Sequence, residues 1–266
     1  MDIIKSFFTT FHSKLNYSIE QNECVLTHIK AAAVHPKTFA EYCGIYQNKN
    51  IALIACGPTI NYAKPLDDTI FVGVNESFRQ SSILLDYLFV QDLMPWIKEA
   101  NNYSRDHCKK FYGIIPQNRT RNSKCRTIQI FDIRDANANE YYLEDLMFHN
   151  WPHNIAIEPL CDNGGTVFSA MQFILYTHPK NIYLFGCDCY GSRHFYEKAD
   201  DNKNFFKYQI NQWKNLKTHI DEYYKDINIY SVNPIGLRGI FADLYTSSFV
   251  EDNPDLADTT SITLLK

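Results

Sequence analysis

The chain has 266 residues, and its 26 lysines and arginines against 30 aspartates and glutamates give a formal net charge of −4. A hydrophobic content of 45% is enough to build a core, and a charged content of 21% excludes an intrinsically disordered chain. The mild acidity excludes a strongly basic surface over the whole protein, so we expect no nucleic-acid partner.

Residues 1–48 are predicted to form an N-terminal helical segment with polar breaks. Within residues 1–15 the apolar side chains follow helical spacing: Ile3, Ile4, Phe7, Phe8, Phe11 and Leu15. This pattern indicates a helix packed on the main domain or, alternatively, a peripheral membrane contact. No stretch is apolar enough for a transmembrane helix, and no secretory signal is recognisable. We therefore expect a cytoplasmic protein; the alternative is a protein bound to the inner face of the membrane.

Short, nearly continuous apolar runs follow, as expected for parallel strands that are covered on both faces. Strands are predicted at residues 50–56, 70–74 and 84–90, with shorter ones at 111–115 and 127–131. After an irregular stretch at 133–160, the pattern predicts a helix at 164–176, a strand at 182–186, a helix at 205–224 and a strand at 227–232.

The alternation of strands and helices predicts an α/β, Rossmann-like fold with a mostly parallel sheet, helices on both faces and a small lid region. The nucleotide-binding domain is predicted over residues 49–250, followed by a C-terminal tail at 251–266. Residues 133–160 and 187–204 are candidate lid or substrate loops.

The eight cysteines favour reduced thiols over a disulfide framework, because the chain is long and carries no recognisable signal. There is no CxxC pair and no HExxH or DxD pattern, so no dedicated metal site is predicted. Cys187 and Cys189 are separated by one residue, and on a strand their side chains would point to opposite faces.

Ligands of open α/β sheets bind beyond the carboxyl ends of the strands, and the first such end carries a tight turn. Cys56, Gly57, Pro58 and Thr59 form this turn, which can bring backbone amides close to a phosphate. It is neither a Walker A loop nor a GxGxxG fingerprint, so a P-loop kinase and a NAD-dependent dehydrogenase lose their main support. The alternative is an ordinary strand-to-helix turn.

A second turn opens the helix predicted at 164–176 and consists of Asn163, Gly164, Gly165 and Thr166. Glycines let a backbone approach a ligand closely. Asn163 or Thr166 either caps the helix or bonds to a ribose or phosphate. Two glycine turns in one sheet protein fit a nucleotide held between two strand ends.

The loop after the strand at 182–186 contains Asp188, Tyr190, Arg193, His194 and Tyr196. Phenols and a guanidinium can bind a leaving phosphate without a metal ion. His194 is the candidate general base, and the alternative is a surface histidine without a role.

Several segments together resemble the single-domain bacterial sialyltransferases that modify lipooligosaccharide. Residues 54–60 resemble their first-strand motif, 71–75 their second strand, 165–168 their helix start and 182–190 their I-Y-L-x-G-x-D-x-Y motif. Tyr196 stands six residues after Tyr190, the spacing of the tyrosines that hold the departing phosphate in that family. The same sheet occurs in a related group, the domain of unknown function 115, which is found in flagellin glycosyltransferases and archaeal pterin diphosphokinases.

The resemblance implies an inverting, metal-independent transfer of a nonulosonate such as sialic acid from a CMP donor to a surface glycan, with no cofactor. Tyr190 and Tyr196 would stabilise the leaving phosphate, and Asp188 would organise their loop. The nucleotide would be held by residues at three strand ends: Cys56, Gly57, Pro58, Thr59, Asn75, Asn163, Gly164, Gly165 and Thr166. The implied partners are the nucleotide sugar and the glycan acceptor, and the oligomeric state stays open.

Two departures from the family pattern bear on this expectation. Cys56 replaces the asparagine of the first-strand motif, which removes an amide donor and acceptor. The family's catalytic histidine is expected near residues 207–209, which are Lys, Tyr and Gln here. Either His194 or His219 substitutes for it, or the chemistry differs.

Two alternatives remain. A diphosphokinase of the pterin type would need ATP, Mg²⁺ and a carboxylate cluster, for which Asp92, Asp162 and Asp188 are the candidates. A non-catalytic nucleotide-binding relative would have kept the sheet and lost the base.

Overall fold

The computed structural model describes residues 22, 24–91, 97–104, 106–114, 139–145, 151–190, 195, 203–256 and 262–265. Within them, nine strands form one sheet in the order β6-β5-β4-β3-β2-β1-β7-β8-β9, and each neighbouring pair is parallel. The strands are β1 Asn50–Ile54, β2 Thr69–Val74, β3 Tyr87–Val90, β4 Lys109–Ile114, β5 Asn139–Asp145, β6 Leu160–Asp162, β7 Asn181–Phe185, β8 Asn228–Val232 and β9 Ala242–Leu244. The predicted α/β, Rossmann-like fold is confirmed.

The helices connect the parallel strands and cover the sheet. The described helices are α1 (residues 24–39), α2 Ile97–Asn102, α3 Thr166–Tyr176, α4 Lys203–Tyr223 and α5 Ser247–Asp252, with short 3-10 helices at Ala40–Tyr42, Pro58–Tyr62, Asn75–Arg79 and Pro254–Leu256. On α4 the buried Trp213, Leu216 and Ile220 recur at helical spacing, so one stripe of this helix faces the core. None of the described helices is long and apolar enough to cross a bilayer.

Two hydrophobic cores lie on opposite faces of the sheet, because successive strand side chains alternate between the faces. Ile51 and Leu53 of β1 belong to the core that contains α3 and the buried stripe of α4. Ala52 and Ile54 belong to the second core, which includes Phe78 of a 3-10 helix. Burial on both faces explains why the strands read as continuous apolar runs.

Several predicted bounds differ from the observed ones. Residues 133–160 were expected to be irregular, and this is wrong for β5 and for the start of β6. β5 was not recognised because polar and aromatic residues alternate in this segment, although Tyr141 and Leu143 of β5 are buried. The strand expected at 84–90 begins only at Tyr87, and β9 and α5 were not predicted. The strand expected at 127–131 and the helix within residues 1–15 lie outside the described residues.

The C-terminal residues add to the edge of the sheet beyond β9. The amide of Tyr245 donates to the carbonyl of Thr263 at 2.9 Å, and the amide of Leu265 donates to the carbonyl of Tyr245 at 2.8 Å. The domain boundaries at 48/49 and 250/251 stay predictions, although β1 begins at Asn50 and residues 263–265 pack onto the main sheet.

The strand order places a topological switch point between β1 and β7. From β1 the chain proceeds through β2 to β6 on one side, and then crosses to β7 on the other side. Connections on the two sides leave the sheet in opposite directions, which opens a crevice at the carboxyl ends of β1 and β7. This crevice is the place where ligands of open α/β sheets bind.

Candidate functional site

The loops that follow β1 and β7 are bound to each other at the switch point. Ile54 is paired with Phe185 in the parallel register. Beyond the strands, the amide of Ala55 donates to the carbonyl of Phe185 at 2.9 Å, and the amide of Gly57 donates to the carbonyl of Gly186 at 2.8 Å. The two loops therefore start as one rigid unit.

Gly57 is required where it lies because the two loops approach so closely. A Cβ on Gly57 would lie 2.4 Å from the carbonyl oxygen of Gly186 and 2.6 Å from the carboxyl group of Asp188. No larger residue fits without a shift of the backbone. Pro58 follows as the first residue of a 3-10 helix for which Gly57 is the N-cap.

Asp188 is a buried carboxylate whose donors come from the opposite loop. The amide of Thr59 donates to one carboxylate oxygen at 2.9 Å, and the Thr59 hydroxyl donates to the other. Burial raises the pKa of the Asp188 carboxyl to about 6, although the two Thr59 hydrogen bonds lower it in part. Both oxygens are engaged, which fits the predicted role of Asp188 as an organiser of its loop.

The second glycine turn presents a buried amide without a partner. The Asn163 side chain is 0% exposed, and neither its nitrogen nor its oxygen has a hydrogen-bond partner among the described residues. Gly164 adopts a φ of +75°, and Gly165 is the N-cap of α3 without a side-chain cap. Capping by Asn163 or Thr166, one of the two predicted options, is therefore wrong; Thr166 is the first residue of α3 and is buried.

Gln209 of α4 connects this glycine turn to the loop after β7. Its side-chain nitrogen donates to the carbonyl of Gly164 at 3.2 Å. Its oxygen accepts from the thiol of Cys189 at 3.8 Å, and burial raises the pKa of that thiol to about 12, so it stays a donor. The family resemblance implied a histidine near this position, and Gln209 was not among the predicted site residues.

A chain of hydrogen bonds links the ends of β2 and β3 to α3. The Asn75 side-chain oxygen accepts from the amide of Gln91 at 3.1 Å, and the Gln91 oxygen accepts from the Ser169 hydroxyl at 3.2 Å. Next to them, the Cys56 thiol donates to the carbonyl of Val74 at 3.4 Å. Asn75 and Cys56 therefore fix neighbouring strand ends to each other.

The loop after β8 is hydrogen-bonded to the loop after β7. The amide of Gly236 donates to the carbonyl of Asp188 at 2.8 Å. A Cβ on Gly236 would lie 2.4 Å from the carbonyl of Cys189, so this contact needs glycine. Cys189 itself has a φ of +45°, and residues 187–190 belong to the loop expected after β7, so the alternation that Cys187 and Cys189 would show on a strand does not apply.

Of the two tyrosines predicted to hold the leaving phosphate, Tyr190 is among the described residues. Its side chain is 65% exposed, next to Cys189 in the loop that Gln209 contacts. Phe195 lies against the loop after β1, since its amide donates to the carbonyl of Cys56 at 2.8 Å. His194 and Tyr196 lie outside the described residues, and their predicted roles stay predictions.

His219 lies away from the loops that follow β1 and β7. It is ten residues after Gln209 on α4, about 15 Å along the helix axis. Its ring packs beside Trp151, His153 and Tyr223, and burial lowers its pKa to about 4. This position argues against His219 as the substitute base.

The carboxylate cluster expected for a diphosphokinase receives no support from Asp188. Both of its oxygens accept hydrogen bonds from Thr59, so Mg²⁺ would compete with these contacts for the carboxylate. Asp92 and the side chain of Asp162 lie outside the described residues.

Comparison with known proteins gives distant structural neighbours only. No family model and no curated protein matches the sequence. A point variant of the sialyltransferase CST-II in complex with CMP is 14% identical, with a TM-score of 0.40 over 68% of this chain and 80% of that one. A second CstII variant, of an alpha-2,3/8-sialyltransferase, is 14% identical, with a TM-score of 0.37 over 69% and 81%.

The MAf glycosyltransferase from Magnetospirillum magneticum AMB-1 is 16% identical, with a TM-score of 0.44 over 84% of this chain and 40% of that one. The chain thus spans less than half of that protein. At these TM-scores the three neighbours carry no functional argument for this chain.

Proposed function

We propose that the chain is a glycosyltransferase that moves a nonulosonate, such as sialic acid, from a CMP donor to a hydroxyl of a surface glycan. The observation that carries the proposal is the fully buried, unpartnered amide of Asn163, in a glycine turn that Gln209 ties to the loop of Tyr190. Three strand-end loops thereby meet around one crevice at the switch point.

Asn163 is suited to bind a nucleobase edge. A buried amide without partners costs about 1–3 kcal/mol unless a ligand or a water molecule satisfies it. Its donor and acceptor lie side by side, which matches the adjacent acceptor and donor of a cytosine. The side chains of Tyr208 and Gln209 lie 3.0 and 3.1 Å from the positions that a Cβ would take on Gly164 and Gly165, so binding requires these two side chains to move aside and admit the base to Asn163.

The phosphate is then placed between the Gly57 turn and Tyr190. The phenol of Tyr190 is exposed and can donate to the phosphate as its charge develops. Tyr196 is proposed to do the same, so that no metal ion is needed for the leaving group. The bond between the anomeric carbon and the phosphate oxygen breaks, and the acceptor oxygen forms the new bond at the opposite face of the sugar.

The acceptor hydroxyl must lose its proton during the transfer, and His194 is the proposed base. Asp188 is not assigned to this task because Thr59 occupies both of its oxygens. Its role is to hold the loop of Tyr190 against the Gly57 turn. The proposed partners are the nucleotide sugar and a glycan, with membrane contact through residues 1–15 as a further proposal.

The proposal is tested by incubating the full chain with CMP-sialic acid and other nucleotide sugars and measuring release of the nucleotide. We expect CMP release without added Mg²⁺. Tyr190→Phe should reduce its rate by about 10²-fold or more, the loss typical of one transition-state donor. Tyr223→Phe, an exposed phenol on α4, is the matched control and should leave the rate unchanged.

Absence of turnover with every nucleotide sugar, together with tight CMP binding, would instead support the non-catalytic relative. Turnover of ATP that requires Mg²⁺ and a pterin would support the diphosphokinase. Either result contradicts the proposed transfer.

A further inference from the structure

A second cluster of reactive side chains lies outside the switch point, between α1 and β5. The Cys24 thiol is 2.7 Å from one oxygen of Glu144, and the Nε2 atom of His28 is 2.7 Å from the other. One ligand atom from each of the three residues lies within 4.8 Å of the other two. Sulfur, imidazole nitrogen and carboxylate oxygen thus converge on one point.

The secondary structure presents these groups in a fixed arrangement. Cys24 and His28 are four residues apart on α1, so they occupy the same face of the helix. Glu144 is near the carboxyl end of β5. Two turns further along α1, His35 accepts from the amide of Tyr142 at 2.8 Å, which fixes the helix to the strand beside Glu144.

The electrostatics of the cluster favour a cation. Glu144 is 5% exposed, and a buried carboxylate requires charged or hydrogen-bonding partners. The Cys24 thiol donates to one oxygen of Glu144 at 2.7 Å, and a cation bound between the two groups would take the place of this proton. His28 is half exposed, so solvent and ions reach the cluster.

We propose that Cys24, His28 and Glu144 form a Zn²⁺ site. Zinc is the divalent metal that combines thiolate, imidazole and carboxylate ligands in a tetrahedral shell. The three ligands found among the described residues fill three of the four positions of this shell. Binding converts the Cys24 thiol to a thiolate, and its proton is released to the solvent, so affinity decreases as the pH falls.

The sequence predicted no metal site, because Glu144 is 120 residues from Cys24 and no short motif joins them. The competing explanation is a hydrogen-bonded triad, in which the neutral thiol and the imidazole only satisfy the buried carboxylate. The two explanations differ in one measurable property, which is stoichiometric metal uptake. This proposal is independent of the proposed glycosyl transfer.

The test uses the full chain without a histidine tag, reduced and freed of metal by a chelator that is then removed. Zn²⁺ is titrated against a chromophoric chelator, and Co²⁺ is titrated by absorbance. We expect one ion per chain and a sulfur-to-cobalt charge-transfer band. Cys24→Ser and His28→Gln should each weaken Zn²⁺ binding by at least roughly 100-fold, the loss that even outer-shell changes reach at metal sites.

Matched controls are Cys43→Ser, which removes an exposed cysteine, and His107→Gln, which removes a half-exposed histidine elsewhere. Both should bind Zn²⁺ as the parent chain does. His28→Gln keeps the test decisive if Cys24→Ser fails to fold, because His28 is half exposed. Absence of uptake in the folded parent chain, or uptake that both Cys24→Ser and His28→Gln retain, would overturn the proposal.

Discussion

Thr59 holds the Asp188 carboxylate from both its backbone amide and its hydroxyl, across the junction between the loops of β1 and β7. The contact spans 129 residues of sequence and lies at the switch point of the sheet. It therefore determines how the turn at Gly57 faces the loop of Tyr190.

The buried carboxyl of Asp188 makes the stability depend on pH. Its pKa is raised from 3.8 to about 6, so between these values the folded chain binds more protons than the unfolded chain. This contribution to stability is present at low pH and is lost as the pH rises from about 4 to 6. This pKa difference corresponds to a change on the order of 3 kcal/mol in the free energy of unfolding.

Asp188→Asn keeps the shape but cannot ionise; its side-chain oxygen can accept from the Thr59 amide, and its NH2 group can donate to the Thr59 hydroxyl oxygen. The free energy of unfolding, measured by urea denaturation, should therefore rise for this variant relative to the parent between pH 4 and pH 7. Asp226→Asn, an exposed carboxylate, is the control and should show no such trend. A constant difference between Asp188→Asn and the parent at all pH values would contradict the raised pKa.

The two glycine turns should respond differently to alanine. In Gly57→Ala the Cβ meets a backbone carbonyl at 2.4 Å, so the loops must separate, and we expect a loss of several kcal/mol of stability. In Gly165→Ala the nearest atom, at 3.1 Å, is the end of the flexible Gln209 side chain, so the loss should be about 1 kcal/mol or less. Thermal unfolding of both variants checks the order, and equal losses would contradict it.

Gln209 should matter for nucleotide binding more than for folding. Gln209→Leu keeps the size of the side chain but removes its bonds to Gly164 and Cys189. We expect CMP affinity, measured by calorimetry, to fall by about tenfold, since two modest hydrogen bonds position the turn. Asn215→Leu on the exposed face of α4 is the matched control. An unchanged CMP affinity in Gln209→Leu would contradict the role of Gln209 in connecting the two loops for nucleotide binding.

His35 should make the fold sensitive to acid. Its Nδ1 atom lies 2.8 Å from the carbonyls of Ile155 and Glu158, and its Nε2 atom accepts from the amide of Tyr142, so the ring must be neutral. Burial lowers its pKa from 6.5 to about 4. The stability that it contributes is therefore present above about pH 6.5 and is lost as the pH falls towards 4.

His35→Gln should lower the free energy of unfolding at pH 7 and flatten its dependence on pH between 6.5 and 4. Urea denaturation across this range measures both effects. The half-exposed His107, replaced by Gln, serves as the control. A pH dependence as steep in His35→Gln as in the parent chain would assign the acid sensitivity to other groups.

The sequence was most informative where burial on both faces of the sheet produces a continuous apolar run. β1, β2 and β7 were predicted within two residues, because continuous apolar runs identify central parallel strands. β5 was missed because Glu140, Tyr142 and Glu144 interrupt its apolar residues. β9 has three residues, too few for any periodicity.

The site was only partly predictable for a related reason. The glycine turns and Asp188 follow apolar strands directly, so local pattern indicates them. Gln209 and Gly236 act through contacts with loops that lie far away in sequence, and no local pattern marks such contacts. Cys24, His28 and Glu144 illustrate the same limit, since only the packing of α1 on β5 brings them together.

The most direct test of the central claim is a crystal structure of the chain with CMP. We expect the cytosine to bond to the Asn163 amide and the phosphate to lie between the Gly57 turn and Tyr190, beyond the carboxyl ends of β1 and β7. A nucleotide bound elsewhere on the sheet, or a crevice that takes up no CMP at saturating concentration, would contradict the account.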